Sequence, residues 1–141
     1  MEFPPLNYLA ILVAALAAFF IGFMWHGPVF GKVWLKLMNI SEKEIEKGKK
    51  EMAGKMPVYM ISAFLQQVVV ASAIALLVSA TGVTAAVDGA LLAFVCWLGF
   101  IATTLLNGVL WEKRTVPLYL FNIAYHFVSL VVITLIVTLW I

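Results

Sequence analysis

The sequence predicts an all-α integral membrane protein, a four-helix bundle with one short helix at the cytoplasmic membrane surface. Of the 141 residues, 65% are hydrophobic and only 11% are charged, whereas soluble domains average about 45–50% and about 25%. A chain this small buries too little of its surface to hide that excess in a core. Two further observations agree with a membrane location: four long apolar runs, and basic residues confined to one side of them.

Each apolar run is long enough to cross about 30 Å of hydrocarbon, which takes about 20 residues of helix. The runs cover residues 6–25, 57–80, 85–111 and 116–140. Each run must be helical, because lipid offers no hydrogen-bond partner to an unpaired backbone group. We therefore expect a single transmembrane domain over residues 1–141, in which residues 28–56 form a helical loop, first amphipathic and then charged.

The basic residues predict how the chain is oriented. The connection between the first two runs carries seven lysines, the connection between the last two carries Lys113 and Arg114, and the middle connection carries only Asp88. The positive-inside rule assigns the basic side to the cytoplasm. We therefore expect a multi-pass protein of the cell (plasma) membrane with both termini outside.

The stretch WHGPVFGKVW, residues 25–34, marks where the first run reaches the inner interface. Gly27 and Pro28 should end the helix, since proline lacks a backbone N–H and suits the first turn of a new helix. Beyond them, Lys32 and Lys36 lie opposite an apolar face, as in a helix in the headgroup plane. These lysines fit contact with anionic lipid, and ligand binding is the alternative. The interfacial motif comprises Trp25, His26, Pro28, Gly31, Lys32 and Trp34.

Three of the predicted spans carry polar side chains, which are costly in lipid and need a reason. Counted from the cytoplasmic edge at about 1.5 Å per residue, they form one layer about 7 Å deep and another about 14 Å deep. Within each helix the two members are spaced i,i+4 and share a face. These candidate residues are Ser62 and Gln66, Thr103 and Asn107, and Asn122 and His126.

Two hypotheses explain these polar residues. In the first, they line a cavity open to the cytoplasm that binds or passes a small solute. His126 favours this hypothesis, because an ionisable residue inside a membrane is a functional candidate. In the second, the protein is an accessory or scaffold protein, and its polar residues only form hydrogen bonds between helices. We take solute binding or passage as the main prediction.

The first span offers small residues instead of polar ones. Ala10, Ala14, Ala18 and Gly22 are spaced four apart, and such a ridge lets helix backbones approach closely. We expect it to serve in packing. Since four helices are few for a solute path, we also expect a homo-oligomer, with this ridge as the natural contact.

Other chemistry finds less support. Asp88 and Glu112 lie at opposite membrane edges, each about half a membrane from His126, so no catalytic arrangement forms. We expect a non-enzymatic protein without metal or cofactor, since His26 and His126 should differ by about 14 Å in depth and could not share a haem. A haem held by one histidine stays open, as does a membrane enzyme. The net charge of +2 and the lack of a basic patch exclude nucleic acid. The expected partners are the lipid bilayer, further copies of the chain and a small solute.

Five stretches together resemble a family of small four-helix membrane proteins, the domain of unknown function 1761. They are NYLAILVAA at 7–15, WHGPVFGKVW at 25–34, WLGF at 97–100, WEKR at 111–114 and NIAYHFVSL at 122–130. In the family pattern tyrosine often stands at the position of His26 and the position of His126 varies, whereas Asn122 and Tyr125 fit it well. The resemblance implies this fold and a membrane location, and it implies no activity.

Overall fold

The computed structural model describes residues 4–140, which form six helices and no strand. The helices are α1 (Tyr8–Met24), α2 (Gly31–Leu37), α3 (Glu42–Met52), α4 (Met56–Thr81), α5 (Ala86–Trp111) and α6 (Val116–Leu139). Four of them are long and apolar enough to cross a membrane: α1 with its continuation to Val29, α4, α5 and α6. The predicted all-α class is therefore confirmed. Residues 1–3 and 141, which the predicted domain includes, lie outside the described residues.

The helix ends follow from local sequence. Asn7 caps α1, its Oδ1 accepting the backbone N–H of Ala10 at 3.1 Å, and Ser41 caps α3, its Oγ accepting the N–H of Glu44 at 3.3 Å. Helices α4 and α6 each have a proline in the first turn, where no intrahelical donor is lost. Helix α4 ends at Gly82, whose φ of 70° is the left-handed conformation typical of a helix C-terminus.

The core consists mainly of small side chains. Helices α1, α4 and α6 pack against one another, and α5 packs mainly against α6. At their centre Ala14, Ala15, Ala18 and Ala71 are completely buried. The predicted packing role of the α1 ridge is thus confirmed. Its predicted role as an oligomer contact is wrong, because Ala10, Ala14 and Ala18 are at most 1% exposed and already lie against neighbouring helices of the same chain.

Helix α1 ends in a kinked segment, Trp25–Val29, in which Gly27 has non-helical backbone angles (φ −119°, ψ −109°). Helix α2 follows with Lys32 and Lys36 exposed and Trp34 half-buried. The predicted break and a short helix after it are therefore present, and the position of that helix at the membrane surface stays a prediction.

Helix α5 contains a π-type turn, Trp97–Ala102, at its centre. A widened turn disturbs the regular i to i−4 pairing of backbone groups, which lipid cannot compensate. Two side-chain hydrogen bonds join this turn to α6. Trp97 Nε1 of α5 donates to the Ile123 carbonyl of α6 at 2.8 Å, and Tyr119 Oη of α6 donates to the Ala102 carbonyl of α5 at 2.6 Å. These bonds attach both ends of the widened turn to α6.

Candidate functional site

Two of the cavities beside helix α6 are lined by residues of the predicted polar layers. The first, here called the α1/α4/α6 cavity, has a volume of about 230 Å³ and lies beside the kink that ends α1. Its polar lining is His26, Gln66, Gln67 and Tyr125, and the rest of its lining is Phe19, Gly22, Phe23, Met60 and Ala63. A mostly apolar wall with a few convergent polar groups is typical of small-molecule sites.

Tyr125 is the central polar residue of this cavity. A Cβ added at Gly22 would lie 2.7 Å from Tyr125 Oη, so the glycine provides the space that the hydroxyl occupies. Gln67 Nε2 lies 3.5 Å from Tyr125 Oη and donates to it. Both side chains are buried, at 9% exposure. This long hydrogen bond joins α4 to α6 in the cavity wall.

His26 adds a third polar group, from the end of α1. Its Nδ1 lies 3.0 Å from the carbonyl of Gly22. A carbonyl can only accept, so in the neutral ring Nδ1 carries the proton and Nε2 is left as an acceptor. The ring packs edge-on against Trp34, Phe121 and Tyr125, with centroids 5.4, 5.9 and 4.9 Å away. Helices α2 and α6 therefore fix its orientation.

Trp25 belongs to the same aromatic cluster. Its ring packs against Phe30 at 4.7 Å and Phe121 at 5.9 Å between centroids. Its Nε1 is buried and has no hydrogen-bond partner within residues 4–140. The cluster joins the end of α1 to α6, at the level where the predicted interfacial motif begins.

The second cavity, here called the α5/α6 cavity, has a volume of about 250 Å³. It lies between the last turns of α5 and the first turns of α6. Its polar lining is Thr104, Asn107, Glu112, Arg114, Tyr119 and Asn122. Arg114 Nε and Glu112 Oε2 lie 3.3 Å apart in an exposed ion pair.

The six predicted polar residues do not line one common cavity. Asn107 and Asn122 line the α5/α6 cavity, and Gln66 lines the α1/α4/α6 cavity. The other three line neither cavity: Ser62 and Thr103 are exposed, and His126 is half-buried.

The six residues also make few hydrogen bonds of their own. Thr103 Oγ1 donates to the Gly99 carbonyl of its own helix at 2.7 Å. Within the described part of the chain, none of the six has a side-chain hydrogen bond to another helix. Side-chain hydrogen bonds between membrane helices come instead from Gln67, Trp97 and Tyr119.

The two histidines lie closer together than the sequence predicts. The ring centroid of Tyr125 is 4.9 Å from that of His26 and 4.9 Å from that of His126, so the histidines are at most twice that distance apart. The expected separation of about 14 Å in depth is wrong. His26 bonds back to the carbonyl of Gly22, one turn deeper, and this turns its ring into the bundle. Among residues 4–140, no three His, Cys, Asp or Glu side chains group as a metal site.

Sequence reasoning selects Gln66 and overlooks its neighbour Gln67. The buried positions of α4 are 67, 71, 74, 75 and 78, which recur with the helical period. Applied to the polar residues, this period would place Gln67 on the inward face. Tyr125 is also overlooked as a site residue, although the sequence carries it in the stretch NIAYHFVSL.

Four apolar helices with polar cavities between them define a polytopic α-helical membrane protein. The model of a family described as "Protein of unknown function (DUF1761)" matches residues 9–138, and the chain belongs to that family. The resemblance found in the sequence is thus confirmed. Neither a curated protein nor a solved structure matches the chain.

Proposed function

We propose that the protein binds a small, partly apolar solute with a hydrogen-bonding group in the α1/α4/α6 cavity. One observation carries this proposal: Gln67 of α4, Tyr125 of α6 and His26 at the end of α1 converge on one cavity. Its volume of about 230 Å³ is below the roughly 300–1,000 Å³ of typical drug-sized sites. The solute is therefore small.

The lining indicates the chemistry of this solute. A glutamine amide donates and accepts, a tyrosine hydroxyl does both, and the Nε2 of neutral His26 accepts. Phe19, Phe23 and Met60 face the same space. No Lys, Arg, Asp or Glu is among the lining residues, which favours an uncharged molecule with one polar end and an apolar body.

The packing of the core favours binding over passage through one protomer. Ala14, Ala18, Ala71 and Ile133 are completely buried in the core that holds α1, α4 and α6 together. A polar solute crossing the protomer would have to separate these close-packed helices. That would break the van der Waals contacts between them, which hold helices together in lipid because the hydrophobic effect does not act there. A path across the membrane would therefore form between protomers.

Filling the cavity tests the proposal. Ala63 lines it, whereas Ala73 is an exposed residue of the same helix that does not. We expect mass spectrometry of protein purified from its own membranes to find a bound small molecule with the wild type and with Ala73→Phe, and none with Ala63→Phe. Equal small-molecule content in all three proteins would reject the solute site.

A second test asks whether water reaches the cavity. In a Cys96→Ala background, Gln66→Cys should react with a charged thiosulfonate reagent, which needs a hydrated thiolate. Val69, on the same helix and 68% exposed outside the cavity, provides the control, and Val69→Cys should stay unreacted in lipid. Equal reaction at both positions would contradict a specific aqueous opening.

The alternative, an accessory or scaffold protein held together by these polar residues, has a different expectation. If Gln66 served only to join helices, Gln66→Leu would lower the melting temperature. Since Gln66 is exposed and has no side-chain hydrogen bond within residues 4–140, we expect Gln66→Leu to leave the melting temperature unchanged and to weaken solute binding.

We further propose that copies of the chain associate through α5. This helix packs mainly on α6, and its remaining surface exposes apolar side chains such as Leu98. In the Cys96→Ala background, Leu98→Cys should form a disulfide-linked dimer in native membranes. Leu16→Cys, equally exposed on α1, should not, and a monomer at both positions would refute self-association through α5.

We also infer that the basic end of the bundle faces the cytoplasm of the cell membrane, with both termini outside. The support is the grouping of Lys32 and Lys36, the lysines of α3, and the pair Lys113 and Arg114 in the connections at one end of the spans. The connection between α4 and α5 at the other end contains no basic residue.

A further inference from the structure

We propose that the α5/α6 cavity binds the headgroup of a zwitterionic phospholipid that carries a primary ammonium group. Arg114 would bind the phosphate and Glu112 the ammonium, while Asn107 and Asn122 would bind the ester region below. This site is separate from the solute cavity and does not depend on the function proposed for it.

The position of the cavity fits a lipid at the membrane edge. Glu112 and Arg114 directly follow α5, whose last residue, Trp111, is 80% exposed as expected of an interfacial tryptophan. Asn107 lies about one turn deeper in α5, at about 1.5 Å per residue. Leu105 and Val109 line the same cavity with apolar surface. The charged groups therefore lie at the membrane edge and the amide of Asn107 lies deeper, in the order of a phospholipid headgroup and its ester linkage.

The chain holds Arg114 in place without a ligand. Lys113 adopts a left-handed conformation, φ 58°, and the backbone N–H of Arg114 then returns to the Gly108 carbonyl at 3.0 Å. A Cβ at Gly108 would lie 3.0 Å from Arg114 Cδ, so the glycine makes room for the arginine stem across the last turn of α5. A planar guanidinium held this way can bind two phosphate oxygens at once.

The charges favour a zwitterion. Glu112 Oε2 accepts from Nε of Arg114, which uses one of the five guanidinium N–H donors. Both side chains are more than half exposed, so the ion pair itself adds little stability. The first turn of α6 has no side-chain cap, and its free N–H groups favour negative charge nearby. A phosphate near Arg114 and an ammonium group near Glu112 would each lie beside a side chain of opposite charge.

The two asparagines supply the remaining contacts. Within residues 4–140 neither amide forms a side-chain hydrogen bond, and both line the cavity. An amide facing only acyl chains would lose its hydrogen bonds to water without replacement. The ester carbonyls of a phospholipid lie just below its phosphate and are acceptors for these N–H groups.

Native mass spectrometry of the purified protein with equimolar phosphatidylethanolamine, phosphatidylglycerol and phosphatidylcholine tests the proposal. We expect the wild type to retain phosphatidylethanolamine in preference to the other two. Arg114→Gln should bind every phospholipid about tenfold more weakly, the loss expected for one charge-assisted contact. Lys113→Gln removes the same charge one residue away, outside the cavity lining, and should bind like the wild type. Glu112→Gln should retain phosphatidylglycerol and lose the preference for phosphatidylethanolamine.

Four results would overturn the proposal. Two concern the variants: equal losses of lipid binding with Arg114→Gln and Lys113→Gln, or an unchanged lipid preference with Glu112→Gln. Two concern the wild type: equal binding of the three lipids, or displacement of the lipid by an equal concentration of glycerophosphoethanolamine. The last result would assign the site to a soluble phosphoester. If Arg114→Gln does not fold, Asn122→Leu serves instead. It should weaken phospholipid binding severalfold, and unchanged binding would reject the site.

Discussion

The hydroxyl of Tyr125 lies where a side chain at residue 22 would begin: a Cβ on Gly22 would be 2.7 Å from Tyr125 Oη. The small-residue ridge of α1 therefore has two roles along its length. Its alanines pack helices together, and its glycine admits a polar group into the bundle beside the α1/α4/α6 cavity.

Gly22→Ala should lower stability because the added methyl group overlaps the Tyr125 hydroxyl. We expect a loss of about 1–3 kcal/mol, typical of overpacking, measured by thermal unfolding in detergent. Adding Tyr125→Phe should cost less than the sum of the two single changes, because it removes the overlapping oxygen. Gly99→Ala is the control, since nothing lies within 4 Å of a Cβ there. An additive double variant would contradict the steric relationship.

Trp97→Phe should destabilise the protein by about 0.5–1.5 kcal/mol, because it removes the 2.8 Å bond from Nε1 to the Ile123 carbonyl. That bond attaches the widened turn of α5 to α6. Trp111→Phe changes the same atoms in a side chain that is 80% exposed and should have a smaller effect. Equal shifts in melting temperature for the two variants would show that the bond to Ile123 contributes nothing.

Thr138→Val should leave stability unchanged or raise it by about 1 kcal/mol. The Oγ1 of Thr138 is buried and has no hydrogen-bond partner within residues 4–140, so the change to valine removes a polar atom without breaking a hydrogen bond. Thr134→Val is the matched comparison, because Thr134 Oγ1 donates to the Leu130 carbonyl at 2.7 Å and is also buried. A larger loss for Thr138→Val than for Thr134→Val in chemical unfolding would reveal a partner, such as bound water.

Two cysteines, one placed before α4 and one after it, should be labelled from opposite sides of the membrane. Lys49 lies in α3 and Thr84 lies between α4 and α5, and both are exposed. In the Cys96→Ala background, Lys49→Cys should react with an impermeant maleimide only from the cytoplasm, and Thr84→Cys only from outside. The parent chain with Cys96 alone, which is buried, should stay unlabelled. Labelling of both positions from one side would refute four crossings.

The residues of α4 show where sequence reasoning stops. Ser62 and Gln66 are selected because they are polar at the expected depth, yet both are exposed, whereas Gln67 is buried against Tyr125. Depth depends only on counting residues from a helix end. The direction in which a side chain points depends on its angular position around the helix axis, and this angle changes by about 100° from one residue to the next.

The kink at the end of α1 and the π-type turn in α5 show the same limit in another form. The first could be foreseen as a helix break, because Gly27 and Pro28 disfavour continued helix by their own covalent structure. The second, at Trp97–Ala102, contains no proline, and its hydrogen bonds come from Tyr119 and Trp97 across the interface with α6. It could not be foreseen from local sequence.

The sequence by itself determined the all-α membrane class, the four apolar helices, the kink at Gly27 and Pro28, and the side on which the basic residues lie. These features depend on hydrophobicity, charge and backbone chemistry along one segment at a time. Only the tertiary structure decided that the α1 ridge is buried within the chain, that Gln67 contacts Tyr125, and that Asn107, Asn122 and Arg114 line one cavity. Those contacts depend on how whole helices are rotated and paired, and many weak packing contacts between distant parts of the chain set that arrangement together.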